Sequence, residues 1–151
     1  MRIQLDDLTG PEIAALLQEH LNDMNAVSPP ESKHALDLTG LKAKDISFWT
    51  LWQEQHLAGC VALKQLDAQQ GEIKSMRSAT AFRGQGIGKH LLQHVIGEAK
   101  KRGYKRLYLE TGAMEYFAPA RALYRRFGFE CCGPFAQYKV DPNSVFMQLQ
   151  L

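Results

Sequence analysis

Long apolar runs are missing from this sequence. No stretch approaches the ~18 residues that a membrane-spanning helix requires, so no membrane partner is expected. The opening residues, Met1-Arg2-Ile3-Gln4-Leu5-Asp6-Asp7, lack the apolar stretch and small-residue cleavage site of a secretory signal. A dominant charge is missing too. Lysine and arginine number 18, aspartate and glutamate 16, and a net charge of +2 sets up no global field that argues for a nucleic-acid partner. Cysteine is scarce: Cys60, Cys131 and Cys132 make an odd count, and two of them are adjacent, a poor pair for a structural bridge. A reduced, cytoplasmic protein is the expectation. Internal repeats, low-complexity tracts and Pro/Ser-rich linkers are absent, which predicts a single domain over residues 1–151. Apolar residues make up 45%, enough for a chain of this length to bury roughly two-thirds of the surface it exposes unfolded.

What is present alternates between two periodicities. Residues 2–5 read as a short strand. Thr9-Gly10-Pro11-Glu12 reads as a capping box with proline in the first turn. Ile13, Leu16, Leu17, His20, Leu21 and Met24 follow at helical spacing. Ser28-Pro29-Pro30-Glu31-Ser32 turns the chain, and a shorter helix through Ala35, Leu36, Leu38 and Leu41 is expected. Residues 46–52, 57–66 and 72–78 have strand composition and form a meander. A helix then runs to Arg102, with Gly103 as its stop. Residues 106–111 read as a buried strand. Pro119 opens a helix that faces inward through Ala120, Leu123, Tyr124 and Phe127, and residues 129–132 and 144–151 read as the last two strands. The order β-α-α-β-β-β-α-β-α-β-β predicts an α+β domain with a mixed sheet.

Between the third meander strand and the long helix lies Arg83-Gly84-Gln85-Gly86-Ile87-Gly88, followed by Lys89. The first amides of a helix have no internal acceptor and sit at the positive end of its dipole, so this turn is suited to an anion. Glycines allow a diphosphate to approach the backbone, and Arg83 and Lys89 add charge. The dinucleotide fingerprint and the kinase glycine loop both need a third glycine where Lys89 stands. A Walker A loop needs four residues before its Gly-Lys pair and Ser or Thr after it. Here three residues separate Gly84 from Gly88, and His90 follows Lys89.

Arg-x-x-Gly-x-Gly resembles the acetyl-CoA signature of the GNAT N-acetyltransferases. Ala120-Arg121-Ala122-Leu123-Tyr124-Arg125-Arg126-Phe127-Gly128-Phe129 is similar to that family's later helix, and the element order matches nearly end to end. The resemblance implies a mostly antiparallel sheet of about seven strands flanked by about four helices, splayed between strands 4 and 5. It also implies direct attack of an amine on the thioester of acetyl-CoA. The backbone of Met76, Arg77 and Ser78 would hold the pantetheine arm, and the amides from Arg83 through Gly84, Gln85, Gly86, Ile87 and Gly88 to Lys89 would hold the diphosphate. Tyr124 matches the tyrosine near the cofactor sulfur, and Glu72 a strand position where some members carry a general base. Phe117 departs from the pattern, standing where many members have asparagine. Some members of the similar bacterial branch carry an indole-acetate acetyltransferase label.

The chemistry is demanding at two atoms. An alkylammonium of pKa near ~10.4 must lose a proton before it attacks. Glu72 is the leading base and Glu110, on the facing strand, the second. The leaving thiolate can take a proton or hydrogen bond from Tyr124. The acceptor pocket implied by the family draws on Glu31, Ser32, His34, Trp49, Glu110, Tyr138, Asp141, Asn143 and Ser144. Dimerisation through the final strands is likewise implied.

Other signals are weaker. His90 and His94 have the i, i+4 spacing of a zinc pair but lack the intervening glutamate, and both are placed on the polar side of their helix, so no metal is expected. Lys100-Lys101-Arg102 suits a helix C-terminus. The cysteines read as small buried apolar residues. The leading expectation is an enzyme acetylating a small-molecule amine. The alternatives are a CoA-sensing domain without turnover and a basic nucleic-acid accessory protein.

Overall fold

The structure is a computed structural model describing residues 1–29 and 38–151. Among the described residues, seven strands form one sheet in the order β1-β2-β3-β4-β5-β7-β6. Strands β1 (Arg2–Leu5), β2 (Ile46–Gln53), β3 (His56–Gln65) and β4 (Gln70–Ser78) pair antiparallel in succession. β5 (Arg106–Gly112) lies parallel to β4, then pairs antiparallel with β7 (Ser144–Gln150), which carries β6 (Glu130–Cys132) on its outer side. The helices are α1 (Pro11–Val27), α2 (Leu38–Leu41), α3 (Ile87–Lys101) and α4 (Ala118–Arg126). This is the expected α+β architecture.

Both faces of the sheet are covered, and β3 shows why. Its residues from Ala58 to Leu63 are all buried, with Val61 and Leu63 facing one cluster and Cys60 and Ala62 the other. The first cluster takes in Ile73, Leu107 and Leu109 and the buried stripe Ile87, Leu91, Leu92, Val95 and Ala99 of α3. The second takes in Phe48 and the α1 residues Ile13, Leu16 and Leu17. A strand buried on both faces reads as a continuous apolar run rather than an alternation.

Several local expectations are corrected. Thr9 does not cap α1. Gly10 occupies that position with no side-chain cap, because Thr9 instead donates its amide and hydroxyl to Asp7 Oδ1 at 3.1 and 2.6 Å. Pro11 does open the helix. His94 is not on a polar face: it is half-buried and meets Trp49 edge-on with ring centroids 5.1 Å apart. Trp49 is core, with 4% of its surface exposed. Of the inward residues expected on α4, only Tyr124 is fully buried. Cys60 is a buried apolar residue, its thiol pushed up to about 12 by burial, but Cys131 is exposed because β6 is an edge strand.

Candidate active site

β4 and β5 stay paired only from Gln70–Ile73 against Arg106–Leu109. Past Ile73 the strands part. The cause lies on the other edge of β4, where the β3–β4 register passes from Ala62↔Lys74 to Cys60↔Arg77, so Ser75 and Met76 together stand opposite Val61. Ser75 takes a φ of 52° to make this bulge, and its carbonyl accepts from Cys60 Sγ at 3.3 Å. A bulge bends its strand and re-aims the local backbone. Nothing in the composition of Gly71-Glu72-Ile73-Lys74-Ser75-Met76 flags it, since serine carries no preference for positive φ.

The parted strands enclose a cavity of about 120 Å³, lined by Lys74, Ser75 and Met76 from β4 and by Glu110, Thr111 and Gly112 from β5. Tyr124 and Phe117 close it from the α4 side, and His20 and Met24 of α1 reach it from the opposite side. Phe117 is buried against Gly112, whose missing Cβ leaves room for the ring. Arg121 donates to the carbonyls of Gly112 and Met114 at 2.7 and 2.9 Å, tying α4 to the end of β5. Burial raises the Tyr124 phenol well above its ordinary value, and the Glu110 charge adds to the effect. The hydroxyl therefore stays protonated and able to donate.

Beside this cavity runs a groove of about 1420 Å³ on the α1 side of the sheet, walled by Lys64, Glu72, Lys74 and Tyr108 and by the 133–143 connection between β6 and β7. Lys64, Glu72 and Tyr108 are register neighbours across β3, β4 and β5, and Lys74 and Glu110 lie two residues further along the same face. Glu72 is buried. Its Oε2 accepts from Tyr138 OH at 2.5 Å and from Lys74 Nζ at 3.2 Å, while Lys74 also donates to Tyr138 OH at 2.9 Å. Burial raises the Tyr138 phenol, with the Glu72 carboxylate the next cause. Burial also pushes Glu110 up to about 7, opposed by Ser144 and Lys74. Asp141 and Asn143 line the groove and form an Asx turn, Asn143 N donating to Asp141 Oδ1 at 2.8 Å. Glu31, Ser32 and His34 lie outside the described residues.

The glycine-rich turn leaves backbone amides open at the start of α3. Gly84 and Gly86 adopt φ of 78° and 79°, values that L side chains rarely tolerate. Gly86 caps α3, whose first hydrogen bond runs from His90 N to Gly86 O at 3.1 Å. The amides of Ile87, Gly88 and Lys89 precede that bond and lack an intrahelical acceptor. Gly84, Gln85, Gly86 and Lys89 are exposed, whereas Ile87 is a core residue. Gly88 serves packing, since a Cβ there would sit 3.1 Å from Leu123 Cδ2 of α4.

Arg77 stands apart from this turn. Its side chain is buried against α1, donating to Glu19 Oε1 at 2.5 Å and to Asp23 Oδ2 at 2.7 Å, so only its backbone is available to a pantetheine arm. Arg83 Nη2 and Tyr116 OH also reach Asp23 Oδ2, at 3.4 and 3.1 Å. Burial, with the Arg77 charge second, lowers the neighbouring His20 to about 4. No local sequence pattern reveals Tyr138 as a partner of Glu72 or this α1 clamp, because both join residues more than 50 positions apart. No group of His, Cys, Asp and Glu that could hold a metal ion occurs among the described residues, and no described helix is long and apolar enough to cross a membrane.

A glycine-rich helix start with open amides, an opening between splayed parallel strands and a carboxylate-lined face are features that suit an acyltransferase using a CoA thioester. Comparison with known proteins agrees. The acetyltransferase (GNAT) family model matches residues 13–129, and the chain belongs to that family. It is 55% identical over 151 residues to the Bacillus subtilis (strain 168) protein named uncharacterized N-acetyltransferase YsnE, covering 100% of both chains. It is 44% identical over 149 residues to uncharacterized N-acetyltransferase YedL of Escherichia coli (strain K12), covering 99% of this chain and 94% of that one. A crystal structure of a putative acyl-CoA N-acyltransferase from Klebsiella pneumoniae superposes with a TM-score of 0.77 at 28% identity, covering 99% and 97% of the two chains. The protein is therefore an acetyltransferase, and acetyl-CoA is the donor substrate of its family.

Proposed function

We propose that the protein transfers acetyl from acetyl-CoA to the primary amine of a small molecule, by direct attack in a ternary complex. The observation that carries this reading is the opening between β4 and β5. It shares Glu72, Lys74 and Tyr138 with the carboxylate-lined groove, and the strand that forms one of its walls, β4, ends at Ser78, five residues before the glycine-rich turn begins at Arg83. The diphosphate rests on the amides of Ile87, Gly88 and Lys89 with Arg83 and Lys89 beside it. The pantetheine arm follows the backbone from Met76 to Ser78, which leaves the thioester in the small cavity next to Tyr124. The amine arrives through the groove.

Glu110 is the base in this account. Both carboxylates line the cavity, but Glu72 is engaged by Lys74 and Tyr138, whereas Glu110, raised to about 7, is matched to accepting a proton near neutrality. Glu72 then holds the cluster that shapes the acceptor end. Tyr124 hands a hydrogen bond or proton to the departing thiolate, whose thiol form has a pKa near ~8.5.

Thiol release from acetyl-CoA with a panel of amines tests these roles. Glu110→Gln is expected to lower kcat by roughly 10²-fold or more, with the rise of kcat through about pH 7 lost. Glu72→Gln is expected to act mainly on the acceptor KM, and Tyr124→Phe to lower kcat. Turnover indifferent to all three changes removes the assignment.

A further inference from the structure

Lys74 forms no bond and moves no proton in the reaction just described, yet its ammonium sits at the acceptor end. Its side chain is 10% exposed and lines both the groove and the small cavity between β4 and β5. Nζ is held by three features: Glu72 Oε2 at 3.2 Å, Tyr138 OH at 2.9 Å, and the Tyr138 ring with its centroid 5.6 Å away. A carboxylate, a phenol and an aromatic face are what a site for an alkylammonium would use. A primary amine, a buried carboxylate and the expected place of a thioester thus share one cavity.

We propose that Lys74 is itself an acceptor, and that the protein acetylates its own Lys74 Nζ from acetyl-CoA bound in the β4–β5 opening. This rests on the reading of the site given above. The ammonium must first lose one proton, and two routes to Glu72 Oε2 exist: directly, or through Tyr138, whose hydroxyl accepts from Lys74 and donates to Glu72. The free amine then attacks the thioester carbonyl, an N–C bond forms and the C–S bond breaks. The second nitrogen proton leaves with the CoA thiolate, giving the thiol. The net change is Lys74 ammonium plus acetyl-CoA to acetyl-Lys74, CoA thiol and one proton released to solvent from Glu72. No oxidant or further co-reactant is needed.

The product has chemical consequences at the same site. Acetyl-Lys74 carries no charge, so Glu72 loses its ion pair and keeps the Tyr138 hydrogen bond. The acetyl group also occupies the end of the groove where an external amine must arrive. Self-acetylation therefore acts as a brake on transfer to other acceptors.

Intact-mass measurement and peptide mapping of the full chain, incubated with acetyl-CoA without an added amine, test this. Calorimetry on the same sample records whether acetyl-CoA binds. The expected result is one acetyl group per chain at Lys74, at a rate independent of protein concentration and about tenfold or more above that of the exposed Lys100 and Lys105. Lys74→Arg is expected to abolish the acetylated peptide. The native chain alone decides the matter if that variant folds poorly. Binding of acetyl-CoA with Lys74 modified no faster than Lys100 and Lys105 overturns the inference and leaves the site reading standing. Absence of binding overturns both.

Discussion

Glu110, the base proposed above, carries a cost to the fold. It is an acid whose folded value, about 7, stands above an ordinary value near 4.5, chiefly because burial disfavours its charge. Below about pH 4.5 it is neutral folded or unfolded and costs nothing. Between there and about 7 the unfolded chain releases the proton and the folded chain keeps it, so stability falls as pH rises through that window. Above it the penalty is full, about 3 kcal/mol. Urea unfolding at about pH 5 and about pH 8 checks this: the native chain is expected to be less stable at the higher pH, and Glu110→Gln to lose most of the difference. Equal slopes in the two proteins would place the proton elsewhere. Residue identity was legible here in part. Glu72, Glu110 and Tyr124 follow from motif and strand position and do line the opening. The Tyr138–Lys74–Glu72 cluster does not, because no local pattern joins residues so far apart in the chain.

At the scale of elements, the sequence reading is sound where one periodicity rules. The long helix α3 and its stop at Gly103 are both found, Gly103 at a φ of 80°. It falls short where a backbone departs from a regular element: the bulge at Ser75-Met76, the 3-10 turn Glu115–Phe117 ahead of α4, and the start of α1, where Asp7 claims Thr9. The bulge matters most, since β4 and β5 part beside it. The close packing of α3 on β3 and β4 supports it from behind. A Cβ on Gly59 would lie 2.7 Å from both Arg77 O and Ile87 Cγ2. Gly59→Ala is therefore expected to push α3 off the sheet and destabilise the protein by about 2 kcal/mol, seen as a lowered Tm with reduced acetyl-CoA affinity. An unchanged Tm would mean that this contact relaxes freely.

For the molecule as a whole, the two faces of the sheet divide the labour. On one, α3 and α4 present the amide cradle and Tyr124. On the other, the 133–143 connection borders the large groove, and His20 and Met24 of α1 reach the small cavity beside it. The β4–β5 opening is where the two sides meet. The Asp23 cluster ties α1 to Arg83 of the glycine-rich turn and to Tyr116 ahead of α4. Calorimetric titration with CoA tests the cradle most directly, comparing the native chain with Gly86→Ala, which places a side chain at a φ of 79°, and with Glu72→Gln. The account predicts one site per chain, roughly tenfold weaker binding for Gly86→Ala, and native affinity for Glu72→Gln. Native affinity in Gly86→Ala, or no binding by the native chain, would contradict it.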